Sequence, residues 1–393
     1  GLSHVHLLPA FDCATIPENP RDREEPGNLS ALPPDSPAQQ QAVDRVRARD
    51  AFNWCYDPYH YTVPEGSYAT DPDGVARIRE FRAMVAALNR SGLRVVMDVV
   101  YNHTTTDGQA EKSVLDRIVP DYYQRLDSKG DVETSTCCSN TATEHAMMEK
   151  LMVDSLLTWA VQYKVDSFRF DLMGHHSRAN IEKARDALHA LTPEEHGVDG
   201  SSIYLYGEGW NFGEVANDAR FVQATQANMG DGTGVGTFND RIRDAVRGGK
   251  HDDAGVLHVQ HQGFVNGLYY DPNSENSGSR EEKEKLLYLT DLLRTGLAGG
   301  LADYRLVDRH GNEVAASEID YHGQAAVYAS DPQETINYIA AHDNETLFDI
   351  NQYKLPAGTS MADRVRVINL ANSFIALAQG IPFFHAGQEM LRS

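Results

Sequence analysis

Cysteine is scarce. Four cysteines in 393 residues cannot build a disulfide scaffold. Cys13 and Cys55 stand far apart, Cys137 and Cys138 are adjacent, and no Cys-x-x-Cys or Cys/His spacing marks a zinc site. Which cysteines pair is not legible. Positive charge is also in short supply. Lys and Arg number 35 against 57 Asp and Glu, a formal net charge of −22. That argues against nucleic acid or an anionic membrane as main partner. Long apolar runs are missing. The most apolar stretch, residues 365–387, is broken by Arg366, Asn369, Asn372, Gln379 and Pro382, so no transmembrane helix is expected. The glycines of 230–236 miss the Gly-x-Gly-x-x-Gly spacing. No Walker loop, Gly-x-Ser-x-Gly elbow or His-Glu-x-x-His pair occurs. Asp71-Pro-Asp73-Gly74 opens like a calcium loop but lacks the later ligands, and reads as a turn with Asp73 as helix cap. The chain starts at Gly1 without a basic-then-apolar leader and stops at Arg392-Ser393 after a strand-like run. Both ends read as cut from something longer.

What is present fits a large globular core: 41% hydrophobic and 23% charged residues. Short β-like runs at 4–8, 93–99, 165–171, 203–208, 235–239, 335–341 and 381–385 alternate with helical patterns, as parallel βα units do. Several runs are apolar until their last residue, which suits strands covered on both faces. Helices are expected after Asp73 with Gly92 as stop, from a capping box at Thr141–Glu144 to Lys164, after Ser177, and from Ser360 to Gly380. Seven strands predict an α/β fold of the TIM-type (β/α)8 barrel class lacking one strand. An open doubly wound sheet is the competing architecture. Residues 14–53 and 248–280 read as long loop insertions in a single domain, 1–393.

Polar residues gather where the apolar runs stop: Asp98 with Asn102-His103, Arg169-Phe-Asp171, Glu208-Gly-Trp210 and His342-Asp343. In a parallel barrel these ends face one opening. Asp171 and Glu208 sit one βα unit apart, so neighbouring strands would present two carboxylates at one height, as glycoside hydrolysis requires. Arg169, on the same strand face as Asp171, is expected to hold it ionised. Glu208 has no cation within two residues and lies between Tyr206 and Trp210, a setting expected to raise its pKa. A single strand-end Asp, Glu or His is ordinarily a cap or a hydrogen-bonded structural residue; four such clusters make coincidence a weaker account.

These residues resemble a known family. Asp98-Val-Val-Tyr-Asn-His103, Phe168-Arg-Phe-Asp171, Gly207-Glu208 and Ala341-His-Asp343-Asn344 are similar to the signature regions of the α-amylase family, glycoside hydrolase family 13. Asn53-Trp-Cys-Tyr-Asp-Pro58, Asp171-Leu-Met-Gly174 and Gly207-Glu-Gly-Trp210 resemble its type I pullulanase and limit dextrinase branch. The resemblance implies a retaining hydrolase of α-1,6-glucosidic branch points in pullulan, amylopectin and limit dextrins. It implies Asp171 as nucleophile, Glu208 as general acid/base and Asp343 as third carboxylate. It further implies Arg169 orienting Asp171, His103 and His342 bonding the sugar, and Tyr56 as stacking platform. Trp210, Met173 and Phe212 would line the groove, with Asp98 and Asn102 bracing the site. The family motif has Gly where this chain has Cys55. The family's first barrel strand, last barrel helix, N-terminal β-sandwich modules and C-terminal β domain have no counterpart here, so the barrel is expected to be truncated.

The resemblance implies no cofactor for the chemistry and admits a structural calcium ion whose ligands are not legible. The expected partner is a branched α-glucan bound by a monomer. The address stays open between a bacterial exterior or envelope and a plastid. Two competing readings remain: an α-1,4-acting hydrolase or transglycosylase of the same superfamily, and an inactive glucan-binding barrel. The 53–58 motif argues against the first. The presence of all three carboxylates argues against the second.

Overall fold

Parallel strands form where the sequence runs apolar. The computed structural model describes residues 1–393, which divide into two units, Gly1–Thr225 and Gln226–Ser393. In the first unit, β1 (His4–Leu7), β2 (Arg94–Val99), β3 (Ser167–Phe170) and β4 (Tyr204–Gly207) pair side by side in chain order, all parallel. The register aligns Leu7 with Met97, Met97 with Phe168, and Phe168 with Leu205. Val95, Val96, Met97, Val99, Phe168 and Phe170 are all buried, as expected of strands covered on both faces.

Three helices follow these strands' logic. In α1 (Ala76–Arg90), Phe81 and Val85 are buried. It stops as Gly92 predicts. Gly92 adopts φ +78°, its N–H bonds the Asn89 carbonyl and that of Leu93 the Leu88 carbonyl, a Schellman closure. Helix α2 (Ala146–Tyr163) buries Trp159 against Phe81 and Tyr163. Helix α3 (Arg178–His189) opens on a capping box of Ser177 and Asn180 and buries Ile181, Ala184 and Leu188. Two expected caps are corrected. Asp73 does not cap α1, whose N-cap is Val75 without a side-chain bond. The Thr141–Glu144 box does not form: α2 starts after His145, the Thr141 hydroxyl donates to the Tyr101 carbonyl and Glu144 pairs with Arg125. Thr141 and Glu144 both take tertiary partners instead of backbone N–H groups at a helix start.

The excursion 14–53 leaves and returns through an antiparallel pair of strands, Phe11–Cys13 with Pro58–Pro64. It carries the one short α-helix expected after Pro37, Ala38–Asp44.

In the second unit, β5 (Gly236–Asn239), β6 (Thr335–Asn337) and β7 (Ile381–Pro382) are again parallel, in the order β5–β6–β7. The last two are shorter than their apolar runs suggested. Helices α4 (Asp240–Arg247), α5 (Arg280–Leu297), α6 (Leu347–Lys354) and α7 (Met361–Leu377) share a core that includes Ile242, Leu289, Leu293, Ile339 and Ile375. Ser360 caps α7 as predicted. The excursion 248–280 is tied down at its base. The buried Lys354 ammonium donates to the carbonyls of Gly248 and His261, each at 2.7 Å. The Asn273 amide donates to the carbonyls of Val259 and Lys354.

Candidate active site

The register of β3 and β4 builds the site. Phe170 pairs with Gly207, so the next residues, Asp171 and Glu208, leave adjacent strands at the same level. The chain then turns sharply. Leu172 adopts φ +41°, ψ +51°, a left-handed conformation costly for a residue with a Cβ. That turn points the Leu172 N–H at Glu208 Oε2, 2.9 Å away. The Gly174 N–H bonds the Glu208 carbonyl at 3.0 Å. Glycine is required at 174, because a Cβ there would lie 2.1 Å from the Trp210 carbonyl oxygen. The segment 171–174 is thus folded directly onto 208–210.

Below the carboxylates lies a buried polar row. Asp98 on β2 is in register with Arg169 on β3, which is in register with Tyr206 on β4. Arg169 is nearly inaccessible and reaches three acids. Its Nη1 bonds Asp98 Oδ1 at 2.8 Å and Asp171 Oδ1 at 3.2 Å; its Nη2 bonds Glu208 Oε1 at 3.0 Å. Asp98, fully buried, also accepts from the Tyr56 hydroxyl at 2.7 Å and faces His6 Nε2 at 3.2 Å. His6 in turn meets the Tyr206 hydroxyl at 3.0 Å. Burial alone would raise the Asp98 carboxyl; Arg169 and His6 outweigh it and hold the group below its ordinary range. Burial likewise opposes the Arg169 charge, and Asp98 and Glu208 more than restore it.

Asp171 behaves differently from expectation. Burial first, and the Glu208 carboxyl second, push it well above the usual carboxylate range against the pull of Arg169. Glu208 has no cation among its sequence neighbours, but Arg169 serves it across the strand pair. Asn102 donates to Asp171 Oδ2 at 3.2 Å and contacts His103 Nδ1 at 3.0 Å. The other His103 nitrogen donates to the Tyr56 carbonyl at 2.7 Å, so both ring nitrogens are spent on protein partners and the ring is buried. Burial lowers its pKa to about 4, leaving a neutral ring.

Tyr56, Asp98, Asn102, His103, Arg169, Asp171 and Glu208 therefore form one network in the first unit. Met173 does not line a groove; it is fully buried. Phe212 packs edge-on against His175 at 4.7 Å. Trp210 is half-buried. In the second unit, His342 and Asp343 follow β6, with His342 Nε2 3.6 Å from the largely exposed Asp343 carboxylate. Sequence reasoning missed His6, which shares its run with His4, and the Arg125–Glu214 pair (2.9 Å). Arg125 also holds Glu144 and the His175 carbonyl, bracing the turn beyond Asp171.

The cysteines form two disulfides, Cys13–Cys55 and Cys137–Cys138. The acidic trio Asp12, Glu18 and Glu65 comes closest to a calcium cage, but does not fit one. Asp12 and Glu18 are neutralised by Arg77 at 3.0 and 2.7 Å. Glu65 accepts the N–H groups of Cys13 and Ser67.

No family model matches the chain. Curated relatives do. Chloroplastic pullulanase 1 of Arabidopsis thaliana is 51% identical over all of this chain and 41% of its own length. The pullulanase of Klebsiella pneumoniae is 43% identical over all of this chain and 38% of its own. Over its whole length the chain is similar to these pullulanases. The Klebsiella pneumoniae enzyme, solved in complex with maltotriose, superimposes with a TM-score of 0.92 at 42% identity, covering 100% of this chain and 39% of that one. The chain thus spans about two fifths of the length of these relatives.

Proposed function

We propose that residues 1–393 carry the catalytic region of an α-1,6-glucosidase acting on pullulan, amylopectin and limit dextrins by a retaining mechanism, on a (β/α)8-type barrel. The observation that carries this reading is the matched pair Asp171 and Glu208, at the ends of adjacent parallel strands over one shared guanidinium. Its chemistry is a double displacement. A carboxylate oxygen of Asp171 attacks the anomeric carbon as Glu208 gives its proton to the departing glycosidic oxygen. Glu208 then takes a proton from water, whose oxygen displaces Asp171 and restores the free enzyme. Burial and the Glu208 carboxyl disfavour the ionised form of Asp171; positive charge developing on the sugar would favour it. Asp343 binds sugar hydroxyls, Tyr56 offers an apolar face, and His342 and Trp210 contact the glucan. No cofactor is needed for these steps.

Digestion of pullulan by the full-length protein tests this. Maltotriose as main product is the expected outcome. Panose or isopanose would assign the enzyme to α-1,4 cleavage. No product from a demonstrably folded protein would favour a glucan-binding barrel.

A further inference from the structure

We propose that the Cys13–Cys55 disulfide is a positioning device for substrate binding, holding residue 55 in a left-handed conformation and thereby fixing Tyr56. This rests on the glucan-hydrolysing reading of the site above.

Cys55 is fully buried and adopts φ +61°, backbone that glycine takes freely and other residues resist. The motif this segment resembles has glycine there. The chain keeps a glycine's conformation with a residue that disfavours it, and supplies a covalent bond in compensation. The other end of that bond is well anchored. Cys13 is buried, pairs across to Pro58 in the strand register, and donates its N–H to Glu65 Oε2 at 2.8 Å. Local bonds around residue 55 add direction: the Cys55 N–H donates to Asn53 Oδ1 at 2.7 Å, and the Asn53 amide donates to Thr15 Oγ1 at 2.8 Å.

Tyr56 is one peptide away, and three parts of the site hang on it. Its carbonyl accepts from His103 at 2.7 Å. Its hydroxyl donates to Asp98 at 2.7 Å. Its ring lies 5.8 Å from the Arg169 guanidinium carbon. A rotation at residue 55 would move the carbonyl and the ring together. Cys13 and Cys55 touch no reacting group, so the effect expected is on substrate affinity and on His103, not on the chemical step.

The test compares Cys55→Gly with Cys55→Ala in the full-length protein. Both lack the bond and differ by one methyl group. Cys55→Gly is expected to keep KM for pullulan within about twofold of the parent. Cys55→Ala is expected to raise it roughly five- to twentyfold, as the left-handed penalty implies, with kcat little changed. The His103 Nε2–H resonance, which needs no substrate, should be retained in Cys55→Gly and lost to exchange in Cys55→Ala. Should Cys55→Ala not fold, Cys13→Ser against Cys13→Ser/Cys55→Gly makes the same comparison. Equal KM and equal His103 signals in the two variants would overturn the proposal, whether both were normal or both impaired. An inactive parent whose His103 signal still separates the variants would overturn the hydrolytic reading and leave the positioning role standing.

Discussion

Arg169 cannot satisfy Asp98, Asp171 and Glu208 equally. Asp98 takes the shortest of the three contacts and no exposure to water, so it acts as the fixed counter-ion. Asp171 and Glu208 are left on the more accessible side of the guanidinium, where a proton or a positively charged carbon can reach them. From this we expect Glu208→Gln to lower turnover of pullulan by about 10²- to 10⁴-fold, the usual worth of a positioned acid/base, and Asp171→Asn to lower it at least as far. Both variants should still bind maltooligosaccharides by calorimetry. Near-normal turnover in either would remove that residue from its assigned role. The two carboxylates were legible in the sequence because each ends an apolar run, a pattern that survives without knowledge of contacts. The sharing of Arg169 was not legible, because it depends on the β3–β4 register and on the reach of a long side chain. His6 was hidden for the same reason: its partners, Asp98 and Tyr206, are remote in sequence.

At the scale of elements, the turn 171–174 decides where both carboxylates point. It combines a left-handed Leu172 with a Gly174 pressed on the Trp210 backbone. Gly174→Ala would drive a Cβ into a carbonyl that cannot step aside. We expect a stability loss of about 1–3 kcal/mol, typical of overpacking, and a fall in activity beyond the loss of folded protein. Urea denaturation and kcat/KM would separate the two effects; an unperturbed variant would show that the turn has slack. All seven strands were legible from apolar runs, and the stops at Gly92 and the cap at Ser177 from local chemistry. The Thr141–Glu144 box was not legible because a side chain able to cap is also able to bond elsewhere: Thr141 bonds the Tyr101 carbonyl and Glu144 pairs with Arg125. Helices α4, α5 and α6 escaped notice. In α4 three arginines are buried, so its core-facing pattern does not look apolar: Arg241 packs on Tyr321 and Arg243 bonds the Tyr338 hydroxyl.

For the whole molecule, acid is the condition to watch. His103 and His175 are depressed to about 4 and His176 to about 3, each by burial first. Below pH 6.5 the unfolded chain takes up protons at these sites that the folded chain refuses. Stability present above pH 6.5 is therefore lost as pH falls towards 4, by up to about 1.4 kcal/mol per pH unit for each histidine. Denaturant titrations between pH 7 and 4.5 should show this slope, and His176→Gln should flatten it. An unchanged slope in that variant would mean that its ring titrates normally. The two excursions contrast in how they are secured. Residues 248–280 are held by hydrogen bonds, whereas residues 14–53 lie inside a covalent ring closed between Cys13 and Cys55. A protease that nicks this ring once releases nothing: the halves would migrate apart on a reducing gel and as a single band on a non-reducing one.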